Sequence, residues 1–188
     1  MKKSILPFDE LNKLPSSLRK RFPSGKLLIK DRSECDDIID ELLDLFLLAY
    51  SMGNRVTEEN LPSSWEPSLD DVMRVVDERV AGKTWRERVE EYFLNGGSVD
   101  DLLRIAETET HRIANESALE TALKCGATSK TWLTMLDDRV RDNHTILEGQ
   151  TLPVDADFYC PDGDHARAPG LFSLPENNVN CRCELTYQ

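Results

Sequence analysis

The carboxy-terminal stretch NNVNCRCELTYQ carries two cysteines one residue apart, Cys181 and Cys183, directly after Asn180. Three chemistries fit thiols at that spacing: half of a metal site, a redox pair, or two buried side chains of a last strand. In an extended strand alternate side chains share a face, so Cys181 and Cys183 would stand with Leu185 and Tyr187, their Cα atoms ~6.6 Å apart at a rise of ~3.3 Å per residue. A disulfide between them would pull the strand out of its ladder. Free cysteine behaves as a small hydrophobe, so the expectation is two core thiols on an inward face, with no cofactor. Zinc is the alternative. Cys160, His165, Cys181 and Cys183, with His144 in reserve, supply enough sulfur and imidazole ligands for a tetrahedral site, although the sequence has no Cys-x2-Cys knuckle.

A second group lies upstream. Arg141, His144 and Glu148 are spaced to share one helical face, where a guanidinium, an imidazole and a carboxylate could serve as anion clamp, general acid or base, and orienting group. That would suit a small nuclease or toxin-like phosphodiesterase, with or without a metal. The competing reading is a charged surface face or an anchor for the loop that follows. His111 and Arg112, preceded by Glu107 and Glu109, read as ion pairs on a helix surface. No residue is assigned as catalytic, and the protein is expected not to be an enzyme.

These groups need elements to position them. From Ser33 apolar residues recur at three- and four-residue spacing (Ile38, Ile39, Leu42, Leu43, Phe46, Tyr50), and Gly53 supplies a stop. The LLDLFLLAY stretch makes this helix apolar nearly all round, so it is buried or faces a partner. Ser68 caps a second helix that Gly82 closes, and Thr84 with Glu87 forms a capping box for a third that ends at Asn95-Gly96-Gly97. Ser98 then caps a helix of about 27 residues running to Gly126. Beyond it, residues 130–136 read as a strand, 137–148 as a short helix, 150–180 as a long loop, and 181–187 as the last strand. The strand near Trp132 should pair with the last one, with the helix and loop folded over a small sheet: an α+β fold behind a helical amino-terminal region.

Charge is distributed unevenly. The net charge is −12, yet residues 1–30 hold eight basic residues against Asp9 and Glu10, leaving −18 for the remainder. A basic flexible arm over 1–32 could meet DNA phosphates or an acidic protein surface, whereas the acidic body repels nucleic acid at long range. No apolar run approaches the ~20 residues of a membrane span, and the start lacks the features of a secretory signal, so synthesis in the cytoplasm is expected. Five cysteines without a repeated short spacing fit a reducing compartment.

The stretch from AETETHRIANES through TWLTMLDDRVRDNHTILEGQ to CPDGDHARAPG, followed by NNVNCRC, resembles the phage Mu F-like head morphogenesis family of minor head proteins, and residues 82–98 look like its helical lead-in. Carried over position by position, the family's marks are Glu107, Thr108, Glu109, Arg112 and Asn115 on the long helix, then Trp132, Asp138, Arg139, Arg141, His144, Gly149, Pro169, Asn180, Cys181 and Cys183. The resemblance implies a head morphogenesis domain at 98–188 behind a helical partner-contact region at 33–97. It further implies a structural role in the virion or procapsid beside the portal protein and other head proteins, assembled in the host cytoplasm and affecting genome packaging or delivery. A zinc-stabilised nucleic-acid adaptor stands as a third reading.

Overall fold

The computed structural model describes residues 32–58, 61, 64–80 and 82–188, together with Lys20. The basic arm therefore lies outside the described residues except for Lys20 and Arg32. The elements run α1 (Arg32–Glu58), α2 (Leu69–Val76), α3 (Trp85–Leu94), α4 (Val99–Lys124), β1 (Ser129–Leu133), α5 (Asp142–Thr145), β2 (Thr151–Pro153), β3 (Phe158–Tyr159), β4 (His165–Ala166), α6 (Pro175–Asn178) and β5 (Glu184–Tyr187). The fold is α+β with a helical amino-terminal region, as the patterning predicts.

Helix starts follow local chemistry. Ser68, Thr84 and Ser98 each cap a helix and each closes a reciprocal capping box, with Asp71, Glu87 and Asp101 respectively. Helix ends are less local. Gly53 was expected to stop the first helix, yet α1 runs on to Glu58. A Cβ at Gly53 would run into the Ala114 carbonyl, its carbon at 3.0 Å and the Ala114 Cα at 3.2 Å. The glycine is therefore a contact point where α1 and α4 cross, and a helix tolerates it at a cost of roughly 1 kcal/mol. Gly82, expected to close the second helix, instead lies in the turn after it at φ +82, while α2 ends at Val76.

Two hydrophobic cores share α4. The first joins Ile38, Leu42 and Phe46 of α1 to Val75 and Val76 of α2, Trp85 and Val89 of α3, and Leu102, Leu103 and Ile113 of α4. Phe46 meets Trp85 edge-on, with ring centroids 4.9 Å apart. The LLDLFLLAY stretch is thus largely absorbed by the protein's own core, with Asp44 and Leu48 exposed, Leu48 at 44%. In the second core Leu119 and Ala122 of α4 meet Trp132, Leu147, Phe158, Phe172, Cys181, Cys183 and Leu185.

The main sheet has the order β2-β1-β5, antiparallel throughout, and pairs Trp132 with Leu185. β3 and β4 form a separate two-stranded ribbon. Three boundaries differ from expectation. β1 stops at Leu133 because the chain turns at Leu136, which has φ 56, and Glu148 takes the Thr134 N–H. The helix expected over 137–148 is the four-residue α5. β5 begins at Glu184, so both cysteines precede the ladder, following a turn at Asn180 with φ 57.

Candidate functional site

The middle of α4 is buried on every side: each residue from Glu109 to Leu119 is inside the protein. Helix α1 covers one flank, α2 and α3 another, and the carboxy-terminal unit a third. The polar residues there, expected on a surface, are interior. Arg112 is fully buried; its Nε donates to Glu109 (2.8 Å), Nη1 to Glu116 (2.6 Å) and Nη2 to the Val76 carbonyl (3.2 Å). Glu109 also receives Arg88 at 2.5 Å. Burial by itself would lower the Arg112 pKa, but Glu109 and Glu116 outweigh it and the guanidinium stays charged. Burial pushes Glu116 up to about 7 against the pull of Arg112. The loop at Gly170 lies on this turn: a Cβ there, at φ +89, would stand 2.9 Å from the Arg112 Cα. Glu107 is exposed and Thr108 half-buried.

One turn along, His111 is held by Asn115, whose Nδ2 lies 3.1 Å from His111 Nε2 and donates to the carbonyls of His111 (3.0 Å) and Cys183 (3.4 Å). That amide ties α4 to the cysteine segment. From α5, His144 stacks on Phe172 and meets the Trp132 ring edge-on, with centroids at 5.3 and 5.4 Å. Its Nδ1 is 3.6 Å from Cys181 Sγ and 3.5 Å from Cys183 Sγ. All three side chains are buried. The Cys181 thiol is held well below the usual range, first by its hydrogen bond with Cys183 and then, against burial, by those with His111 and His144. Cys183 is pushed the other way by the same partnership with Cys181 and by burial. The expectation of buried cysteines holds, but polar imidazoles share their surroundings.

Arg141 and His144 line one small cleft with Cys181 and Cys183, but Glu148 is not among its lining residues and is engaged by Thr134, so the three do not converge on one spot. Arg141 donates to the carbonyls of Glu176 and Val179, both at 2.5 Å, clamping the loop before Asn180. Glu148 accepts from Thr134 N (2.6 Å) and Oγ1 (2.8 Å). Of the four cysteine and histidine ligands expected for zinc, Cys181 and Cys183 come together with the reserve residue His144. His165 is exposed on the β3–β4 ribbon, 2.8 Å from Asp157 and stacked on Tyr159. The Cys160 thiol is raised to about 11 by burial and by Asp162 and Asp164.

The remaining marked positions differ in burial. Trp132 is fully buried and packs on Phe158 at 5.0 Å. The Gly149 N–H donates to the Trp132 carbonyl from a left-handed turn, φ 74. Pro169 is buried, whereas Asp138 and Arg139 are exposed, Arg139 lying 3.5 Å from Asp137. Sequence reasoning missed two supports. Asp137 receives Arg182 through both guanidinium nitrogens (2.8 and 2.7 Å), and Arg182 holds its carboxyl down at about 2. Asp164 accepts from Ser173 N and Oγ, Leu174 N and Asn177 Nδ2; burial would raise it, but these bonds hold it at about 2. The Pro-Asp-Gly-Asp turn was a visible signal for the second, while nothing local announces the first.

A buried thiol beside an imidazole can act as a nucleophile if a base is oriented and a substrate can enter. Here His144 Nε2 is buried with no hydrogen-bond partner, and the cleft beside the sulfurs is about 10 Å³.

Fold and site together define a class: a helical region leading through one long, centrally buried helix into a small loop-rich α+β unit whose polar side chains serve as its internal framework. The chain matches the family described as "Phage Mu protein F like protein" over residues 69–186, and it belongs to that family. It is 34% identical over 85 residues to the minor head protein GP7 of Bacillus phage SPP1, a match covering 44% of this chain and 28% of that protein. It is also 34% identical over 90 residues to the NAD(+)--arginine ADP-ribosyltransferase EFV of Enterococcus faecalis (strain ATCC 700802 / V583), covering 46% of this chain and 18% of that protein. The chain thus spans less than a third of either relative's length. No solved structure matches it. Among the described residues no helix is long and apolar enough to cross a membrane.

Proposed function

We propose that the protein is a phage minor head protein that joins the portal and neighbouring head proteins during procapsid assembly in the host cytoplasm and influences genome packaging or delivery. The observation that carries this reading is the family match over residues 69–186, together with the similarity to a phage minor head protein. The buried polar framework supports it from the physical side, because Arg112, Arg141 and Glu148 are each engaged in holding one segment against another. The nuclease reading of Arg141, His144 and Glu148 loses its premise, since Glu148 is engaged by Thr134 outside the cleft that Arg141 and His144 line.

Residues 98–188 are the head morphogenesis domain on this reading and residues 33–97 the partner-contact region. Because the LLDLFLLAY stretch is largely buried, contact falls to other surfaces of that region, where Leu69 at the start of α2 and Leu94 at the end of α3 are 72% and 87% exposed. The basic arm, outside the described residues, supplies contact with phosphate or acidic surfaces. The test is co-expression with the portal protein of the same genome, followed by affinity purification and sedimentation. Stable co-sedimentation is expected, weakened by Leu69→Glu with Leu94→Glu. Failure to co-sediment, with particles assembled without this chain packaging a normal amount of DNA, would overturn the proposal.

A further inference from the structure

The unit after α4 is poor in regular structure. Its strands are two to five residues long and its helices four. None of Cys35, Cys125, Cys160, Cys181 and Cys183 is in a disulfide, so no disulfide staples it. Small loop-rich units commonly need a covalent or metal staple, because their cores bury too little apolar surface to offset the entropy of ordering loops. Three distant segments meet in this unit: α4 through the Asn115 amide on the Cys183 carbonyl, α5 through His144, and the approach to β5 through Cys181 and Cys183.

We propose that His144, Cys181 and Cys183 form a site for a zinc-class divalent cation, with two thiolates and one imidazole as protein ligands. The distances have the right scale. With metal–sulfur bonds of ~2.3 Å and metal–nitrogen bonds of ~2.05 Å, a tetrahedron has S···N edges of about 3.6 Å. Those from His144 Nδ1 to the two sulfurs are 3.6 and 3.5 Å, and these three donor atoms all lie within 4.8 Å of one another. His111 lies outside this group of three and is held by the Asn115 amide.

Ordinary hydrogen bonding accounts for the arrangement less well. One ring nitrogen equidistant from two sulfurs takes or gives a single proton, so it serves one thiol properly and the other poorly. A cation among the donors engages all of them. Two thiolates also neutralise a divalent charge, which suits donors buried in the protein. The surroundings hold the donors in place by packing: Trp132 and Phe172 seat the His144 ring, and the Asn115 amide touches the Cys183 carbonyl. The cleft of about 10 Å³ beside the sulfurs has the size of a single ion or water. The mixed sulfur and imidazole donor set favours zinc over magnesium or calcium. The site replaces the expected ligand set of Cys160, His165, Cys181 and Cys183, and it does not depend on the head-protein reading.

The test uses the full chain, expressed in zinc-supplemented medium and purified without chelator. Elemental analysis should give about one zinc per chain. Stripping with a strong chelator should lower the melting temperature, and adding cobalt(II) to the stripped protein should produce thiolate-to-cobalt charge-transfer absorption with tetrahedral d–d bands. Cys181→Ser should abolish both the zinc and the cobalt spectrum, and His144→Ala should weaken cobalt binding at least tenfold. Cys160→Ser and His165→Ala should keep full metal content. Should Cys181→Ser fail to fold, the wild-type stoichiometry and spectrum decide the matter with the last two variants. Wild-type protein without zinc that also gives no charge-transfer band would overturn the proposal. So would loss of metal on His165→Ala or Cys160→Ser.

Discussion

Replacing Gly53 by alanine separates two opposed effects in the α1–α4 contact. In an exposed helix interior the change would stabilise by about 0.5–1 kcal/mol, because alanine loses less backbone freedom on folding. Here the new methyl would meet the Ala114 carbonyl, with its carbon at 3.0 Å where ordinary contact begins near 3.4 Å. The obstacle is backbone, which cannot swing aside, so the helices must part by about an ångström. A gap of that size forfeits a quarter to a half of the dispersion energy of each atom pair along the seam. It also stretches two cross-helix hydrogen bonds, Ser117 Oγ to Tyr50 O at 2.8 Å and Asn54 Nδ2 to Thr121 Oγ1 at 3.0 Å, worth roughly 0.5–1.5 kcal/mol each. With overpacking at ~1–3 kcal/mol, the expected net loss is about 2–4 kcal/mol. Urea unfolding followed by far-UV circular dichroism measures it, provided the slope m is unchanged. A Gly53→Ala protein as stable as wild type, or more stable, would refute the claim that this glycine exists for helix contact.

Arg112→Met should destabilise by about 3–5 kcal/mol, because Glu109 and Glu116 are left buried without their central cation; a melting-temperature change near zero would show that other cations replace it. Stability should fall on acidification from about pH 4 towards pH 2, since Asp164 has a folded pKa of about 2 against an unfolded value of ~3.9, and its contribution is present above the unfolded value and lost below. Asp164→Ala should flatten that acid limb, and an unaltered limb in chemical denaturation across this range would exclude the carboxylate as its source. Trp132→Ala should cost about 3–5 kcal/mol in equilibrium unfolding by opening a cavity among His144, Phe158 and Phe172, and a loss under ~1 kcal/mol would mean the core collapses to fill it.

Helix starts were legible because capping is a matter of four consecutive residues: Ser68, Thr84 and Ser98 act where the sequence places them. The pairing of the strand at Trp132 with the last strand was legible too, from β-forming composition at both ends. What sequence could not carry was environment. Glu109, His111 and Arg112 have the composition and spacing of a solvated helix face, and only the packing of elements on three flanks of α4 turns them inward. Gly53 has the form of a helix stop, but its purpose lies sixty residues away at Ala114. His144 was placed in two candidate groups at once. Which group it belongs to depends on α5 being one turn long, and helix length in so polar a segment is set by tertiary clamps such as Arg141 on Val179.

Helix α4 runs for 26 residues without a glycine or proline, about 39 Å at 1.5 Å per residue, and lies in both hydrophobic cores. A beam shared in this way leaves no joint between the amino-terminal helices and the sheet unit. Heat or denaturant that loosens either core exposes half of the helix the other core needs, so the described body should melt in one cooperative step, with calorimetric and van't Hoff enthalpies in agreement. A push on the outer helices would be transmitted along that beam to the cysteine and histidine cluster as a displacement of the whole, without an internal hinge to absorb it.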